Sequence, residues 1–161
     1  MGAKVIIGVD INEKRLSIAE SMGATHLVNP EKDSVIEKVK SLTKDCGGGA
    51  GIIIIEASGN VKAARDAFDY LRIGGKFIVL GQSDGPLTLN PSVDIVFKEA
   101  EIVGLFGRRI WDTWEKAEDL LTSGKLDLNP IIAHRFPLAE FKPVFEKALR
   151  GEGCKVLLIP D

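Results

Sequence analysis

The chain has 161 residues, of which 45% are hydrophobic and 27% are charged, as in an ordinary folded globular protein. Its 21 basic and 23 acidic residues nearly cancel, so it lacks the basic excess that is typical of nucleic-acid binding. The apolar runs are far shorter than the roughly 20 residues of a membrane-spanning helix, and no signal-peptide pattern opens the chain. We therefore expect neither nucleic acid nor a membrane as a partner. The two cysteines are far apart and form no Cys-x-x-Cys pair, which favours a reducing cytoplasm as the location.

Strand patterns and helix patterns alternate along most of the chain. The predicted strands are 4–9, 26–28, 52–55, 76–80 and 102–106, and the predicted helices are 13–22, 31–45, 61–71 and 111–122. This alternation predicts an α/β fold with a doubly wound, mostly parallel sheet. The uninterrupted isoleucine run 52–55 favours a strand that is central in the sheet and covered on both faces.

Two features within these elements are interpreted as structural. The glycines Gly47–Gly49 follow a helix and precede a strand, the reverse of the order in a phosphate-binding turn. They are therefore predicted to end the helix and to act as a linker. Trp111, Trp114, Ala117 and Leu121 recur at helical spacing, which predicts an apolar stripe packed against the sheet.

Asp10 directly follows the first predicted strand. Ligands of open parallel sheets bind beyond the carboxyl ends of the strands, where a carboxylate can accept hydrogen bonds from both hydroxyls of an adenosine ribose. The same negative charge repels a 2′-phosphate, so this interpretation favours NAD over NADP. A turn or N-cap aspartate, satisfied by nearby amides, explains the residue equally well. An acid at this place also serves methyl-donor enzymes, although nothing later in the chain supports that class.

The glycine-rich turn of a dinucleotide fold is expected about 20 residues before the acidic residue, and only nine residues precede Asp10. In the strand order 3-2-1-4-5-6, the first strand is central. Without it, strands 4–9 and 52–55 each have an unpaired inner edge, which is costly for buried backbone. We predict that the apolar strand 155–159 fills this position, from the same chain or from a dimer partner. Direct pairing of the two strands is the alternative.

Several motifs together resemble one family. The segments 9–15, 23–24, 56–59 and 74–81 are similar to the coenzyme domain of zinc-dependent medium-chain dehydrogenases/reductases, the alcohol dehydrogenase superfamily. The segments 104–108, 113–114, 123–124 and 130–136 resemble one branch of that family more specifically. The resemblance extends from Gly2 to Leu158. It implies a Rossmann-like NAD-binding domain over residues 1–128, followed by a β-α-β tail, 129–161, that in the family returns to the catalytic domain.

The resemblance also implies a set of cofactor contacts. Asp10 and Arg15 would hold the adenosine ribose of NAD. Arg108, just past a strand end, is expected to point towards the cofactor cleft. The nicotinamide would lie against Leu80, Gly81, Gln82, Leu105 and Phe106.

The family reaction is hydride transfer from a secondary alcohol to NAD, assisted by zinc. The family's zinc ligands correspond to a region that precedes this chain, so we expect no metal ligand, no catalytic residue and no dehydrogenase turnover from the chain alone. A non-catalytic NAD-binding, adenosine-binding or interaction module is the alternative. Family dimers join through the strand that corresponds to 102–106, which implies a homodimer through that edge.

Overall fold

The computed structural model describes residues 2–46, 51–107, 109–150 and 154–160. Gly47–Gly49 and Arg108 lie outside the described residues, so the predictions for them stay predictions. The chain divides into two compact units, one formed by Met1–Lys32 with Arg109–Asp161 and the other by Asp33–Arg108. None of the described helices has the length and apolar character needed to cross a membrane.

Strands and helices alternate in the described residues as the sequence predicts. In chain order they are β1 (Ile7–Val9), α1 (Glu13–Ser21), β2 (His26–Val28), α2 (Val35–Thr43), β3 (Gly51–Glu56), α3 (Val61–Tyr70), β4 (Leu71–Val79), β5 (Glu101–Gly104), α4 (Asp112–Thr122), β6 (Ile132–Pro137), α5 (Phe141–Leu149) and β7 (Lys155–Ile159). Every pairing between these strands is parallel. The predicted α/β class is therefore confirmed.

The first unit contains two pairs of parallel strands. β1 pairs with β2, and α1 connects them after starting at Asn12, whose side chain accepts hydrogen bonds from the amides of Lys14 and Arg15. β6 pairs with β7, and α5 connects them with Val144 buried. Each pair is a β-α-β unit, the expected crossover between parallel neighbours.

The prediction that strand 155–159 of the same chain fills a central position is wrong, while the arrangement with a strand from a dimer partner stays a prediction. β7 pairs with β6 in a two-stranded sheet that contains neither β1 nor β3. Direct pairing of the first strand with strand 52–55 is also wrong, because β1 and β3 belong to different sheets of the described structure. The physical reason is proximity along the chain: β6 reaches β7 through a single helix, so a short loop closure pairs one edge of each strand.

The second unit is built on a three-stranded parallel sheet in the order β3-β4-β5. Its core contains Ala64, Ala67 and Phe68 from α3, together with Leu71 and Phe77 from β4. The rings of Phe68 and Phe77 lie 4.7 Å apart between centroids, in a tilted arrangement. β4 is the central strand of this sheet because it pairs with both β3 and β5. Its side chains fill the core between α3 and the sheet.

The isoleucine run 52–55 does not form the covered central strand that its composition favours. β3 is parallel, as predicted, but it lies at one end of its three-stranded sheet. Ile53 and Ile55 are about 60% exposed, and Ile52 is half exposed. The apolar run thus predicted a strand correctly but did not predict how many strands pair with it in the described structure.

The tryptophan stripe is also corrected. Trp111 is 72% exposed and Trp114 is 53% exposed, and α4 buries no residue. Trp111 precedes the helix with a positive φ of 75°, so it does not continue the helical spacing, and the exposure of both tryptophans is not that of a stripe packed against a sheet. The periodicity of a helix defines a face and does not determine what covers it.

A short helix at Pro91–Val96 falls within the segment where no helix is predicted. Its Asp94 is 2% exposed and accepts a hydrogen bond from the amide of Asn90 at 2.7 Å. The Asp94 carboxylate also pairs with the Arg65 guanidinium at 3.2 Å, while the Lys98 ammonium donates to the carbonyls of Phe68 and Leu71. These charged contacts tie the segment before β5 to α3.

Tyr70, the only tyrosine of the chain, gives the second unit a spectroscopic probe. Burial, with smaller contributions from the carboxylates of Asp66 and Glu56, raises its pKa from 10.0 to about 12. The folded state therefore retains a proton that the unfolded state loses first, and stability falls as the pH rises from about 10 to 12. We expect tyrosinate absorbance to appear only near pH 12. A midpoint near 10 contradicts this prediction, and Tyr70→Phe is the control that removes the transition.

Candidate functional site

The candidate site begins where the three parallel strands of the second unit end. The amides of Leu80 and Gly81 both donate to the carbonyl of Glu56, at 2.8 and 3.0 Å, and the amide of Leu105 donates to the carbonyl of Val79 at 2.9 Å. The hydrogen-bond ladder thus continues one step beyond the strands. Carboxyl ends of parallel strands share one edge of a sheet, which is where ligands of this fold class bind.

An open cleft of about 570 Å³ lies at this edge, between the segments that follow β4 and β5. Leu80 and Leu105 are each half exposed in it, and Phe106 is almost fully exposed. Its lining consists of Val79, Leu80, Gly81, Gln82, Gly104, Leu105, Phe106 and Gly107. The structure therefore brings together all five residues that the resemblance assigns to the nicotinamide.

The floor of this cleft depends on a close approach between two backbone segments. A β-carbon on Gly81 would collide with the amide nitrogen of Gly59 and lie 2.7 Å from Oε2 of Glu56. Gly59 has a positive φ of 74°, and a β-carbon there would collide with the carbonyl of Gln82. Only glycine at both positions permits this packing.

Glu56 lies beneath these loops and was not predicted as a functional residue. It is 8% exposed, and its Oε1 accepts hydrogen bonds from the Ser58 amide at 2.8 Å, the Ser58 hydroxyl, and the Gly59 amide at 3.0 Å. The available signal was a single carboxylate at the end of an otherwise apolar strand, followed by serine and glycine. A buried carboxylate requires several donors, and Ser-Gly supplies them.

Asp10 and Arg15, the predicted ribose contacts, lie in the first unit and are near each other. The Arg15 guanidinium is 3.7 Å from Oδ2 of Asp10, and both side chains are partly exposed. Oδ1 of Asp10 accepts a hydrogen bond from the amide of Asn12 at 2.8 Å. Asn12, not Asp10, caps α1. The turn interpretation thus describes the hydrogen bond between Oδ1 of Asp10 and the Asn12 amide. Oδ2 of Asp10 faces the Arg15 guanidinium.

In the described ranges, no group of three or more histidine, cysteine, aspartate or glutamate side chains is placed to hold a metal ion. Cys154 is a free, exposed thiol. The described side chains do not form a zinc site, so we derive no metal-assisted step from them.

The chain is similar to known dehydrogenases over almost its whole length. L-threonine 3-dehydrogenase of Bacillus licheniformis is 38% identical over 99% of the chain, and that of Symbiobacterium thermophilum is 34% identical over the same share. The chain spans 45% of the length of each of these relatives and matches their carboxyl-terminal part. They represent the branch of the family that segments 104–108 and 130–136 resemble.

Solved structures show the same likeness. Alcohol dehydrogenase from Thermotoga maritima superimposes with a TM-score of 0.87 at 28% identity, over 99% of this chain and 44% of that one. A putative zinc-binding dehydrogenase from Sinorhizobium meliloti, bound to NADP, gives a TM-score of 0.85 at 26% identity, over 99% of this chain and 46% of that one. A family model described as zinc-binding dehydrogenase matches residues 1–123. The chain therefore belongs to the zinc-binding dehydrogenase family.

Proposed function

We propose that this chain is the NAD-binding part of a zinc-type dehydrogenase that transfers hydride from a secondary alcohol such as L-threonine to NAD. Residues 1–128 are proposed as the cofactor-binding domain and 129–161 as the tail of the catalytic domain. The observation that carries the proposal is the cleft beyond β4 and β5, whose lining includes every predicted nicotinamide residue. Bound NAD supplies the hydride acceptor; the residues of this chain bind and orient it.

The nicotinamide end of the cofactor is assigned to the cleft. Leu80 and Leu105 are half exposed and Phe106 is almost fully exposed, so the three side chains offer apolar surface for a flat ring. A β-carbon on Gly104 or Gly107 would meet nothing within 4 Å, so the wall formed by β5 leaves open space. The main chain at Gly81 and Gln82 is close enough to the surface for direct contact. These features fit a ring held by backbone and apolar contacts.

The adenosine end is assigned to Asp10 and Arg15. Oδ2 of Asp10 lies 3.7 Å from the guanidinium, and this exposed ion pair contributes little to stability. A ribose diol can therefore replace it at small cost and gain two charge-assisted hydrogen bonds. The negative charge disfavours a 2′-phosphate. Because the relative from Sinorhizobium meliloti is bound to NADP, the preference for NAD has to be tested directly.

The test is a calorimetric titration of the purified chain with NAD and with NADP. The wild-type chain is expected to bind NAD more tightly, and Asp10→Asn is expected to weaken NAD binding about tenfold, because a hydrogen bond to a charged group contributes about 1.5–3 kcal/mol. The variant should also reduce the preference over NADP. Asp33→Asn, which removes an exposed carboxylate elsewhere, is the control. Absence of NAD binding, or a wild-type preference for NADP, contradicts the proposal.

Catalysis is proposed to require residues outside this chain. The described residues include no zinc ligand set, and the chain corresponds to 45% of the length of its relatives. We therefore propose that the contribution of this chain to the reaction is cofactor binding and orientation, without turnover by the chain alone. Its proposed location is the cytoplasm.

A homodimer through the strand at 102–106 is proposed as the assembly. β5 is the outer strand of its sheet and pairs only with β4 in the described structure, and Ile102 is 43% exposed. An unpaired apolar edge favours pairing with a second copy. Light scattering at micromolar concentration is expected to give a dimer for the wild-type chain and a monomer for Ile102→Lys. A monomeric wild-type chain contradicts this proposal, and Val93→Lys, an exposed apolar residue outside the edge, is the control.

A further inference from the structure

Glu56 is the one buried carboxylate next to the candidate cleft that the proposed function leaves without a role. It ends β3 and is 8% exposed. Its main-chain carbonyl accepts hydrogen bonds from the amides of Leu80 and Gly81, the first two residues after β4. Glu56 therefore connects the end of one strand to the loop that forms the cleft floor.

The Glu56 carboxylate holds the loop that follows its own strand. Its Oε1 accepts hydrogen bonds from the Ser58 amide at 2.8 Å, from the Ser58 hydroxyl and from the Gly59 amide at 3.0 Å. Three donors on one oxygen restrain the loop at residues 58–59. An ionised carboxylate is suited to this position because it only accepts hydrogen bonds, and bonds to a charged acceptor are stronger than neutral ones.

The loop at 57–59 in turn supports the cleft floor. Gly59 lies directly against the carbonyl of Gln82, as the collision of an added β-carbon shows. The Gly59 carbonyl accepts a hydrogen bond from the Asp84 amide at 3.0 Å, and the Asp84 carboxylate accepts one from the Val61 amide at 3.3 Å. The other oxygen of Glu56 lies next to Gly81. The two loops thus contact each other through backbone, with Glu56 at the base of both.

We propose that Glu56 is a positioning residue: its carboxylate sets the conformation of residues 80–82 through Ser58 and Gly59, and so orients the nicotinamide end of the cofactor without touching it. The effect of Glu56 on the cofactor rests on the proposed function. Its effect on the conformation of residues 80–82 rests on the hydrogen bonds and close contacts alone. If Glu56 served only the stability of the fold, its substitution would weaken the binding of all ligands and accelerate amide exchange in all regions equally.

The experiment compares Glu56→Gln with the wild-type chain in two measurements. Amide hydrogen exchange, measured by NMR on the chain without ligand, is expected to accelerate about tenfold at Gly59, Leu80 and Gly81, whose amides donate to Glu56, and to stay unchanged at Phe68, because glutamine loses the charge-assisted bonds only in the loops. Titration is expected to show NADH binding about tenfold weaker and AMP binding unchanged. Glu37→Gln, an exposed glutamate of the same unit, is the matched control.

A second variant keeps the test valid should Glu56→Gln fail to fold. Ser58→Ala removes one donor to the carboxylate and retains the charge, so a smaller change in the same direction is expected at the same amides. Unchanged exchange at Leu80 and Gly81 in both variants overturns the role of Glu56. Equal loss of NADH and AMP binding overturns its selectivity for the nicotinamide end. A wild-type chain that binds neither ligand contradicts the proposed function instead. The exchange data still show whether Glu56 sets the conformation of the loops.

Discussion

Gly81→Ala is expected to raise the dissociation constant for NADH at least tenfold and to lower the free energy of unfolding by about 1–3 kcal/mol, the usual cost of overpacking. The added β-carbon would collide with the Gly59 amide and lie 2.7 Å from Oε2 of Glu56 and 3.0 Å from the carbonyl carbon of Ala57. Two of these three neighbours are backbone atoms and cannot rotate away. Titration with NADH and urea unfolding measure the two effects.

Gly104→Ala is the matched control because it adds the same methyl group to the same cleft. A β-carbon at Gly104 would meet nothing within 4 Å, and Gly104 pairs with Val79 in the sheet without a positive φ. Its free energy of unfolding is expected to stay near that of the wild-type chain. Equal free energies of unfolding in the two variants would contradict the close approach described at Gly81.

Phe68→Ala is expected to lower the free energy of unfolding by about 3–5 kcal/mol, the range for large-to-small changes at buried aromatic residues. Phe68 is fully buried, and its ring lies 4.7 Å from that of Phe77. The substitution removes this pair and leaves a cavity between α3 and β4. The shift of the urea midpoint, at an unchanged slope, measures the loss.

The control for this second prediction is Phe106→Ala. Phe106 is 95% exposed, so its removal is expected to change stability by no more than about 0.5 kcal/mol. Because Phe106 lines the candidate cleft, the same variant is expected to weaken NADH binding. A loss of stability at Phe68 as small as that at Phe106 would contradict the assignment of the core.

Much of the candidate site follows from local sequence. Each apolar β-branched run is short enough to be a strand, and each ends at a small or polar residue, such as Gly81 after β4. Parallel strands bring such ends to one edge, so the alternation pointed to the ends of β4 and β5 as places for ligand contacts. The assignment of Leu80 and Phe106 to the nicotinamide came from the family resemblance. Glu56 could not be anticipated, because its role depends on donors from Ser58 and Gly59 and on the loop across from it.

The errors share one cause. The apolar run of β3, the tryptophan face of α4 and the apolar strand β7 were each assigned a neighbour, and the structure gives each a different environment from the one expected. Periodicity reports which face of an element is apolar, since that depends on residues a few positions apart. The neighbour depends on segments far away in the chain, and these compete for the same edge.

By itself the sequence determined the class of the fold, the order of strands and helices, and the strand ends where ligand contacts concentrate, because these depend on short-range spacing and on turn residues. Only the tertiary structure decided that β7 pairs with β6, that β4 is central in its sheet, and that Glu56 bonds both to residues 58–59 and to the residues after β4. Pairing and close packing minimise the free energy of the whole chain, so long-range contacts select among edges and donors that are equivalent in the local pattern.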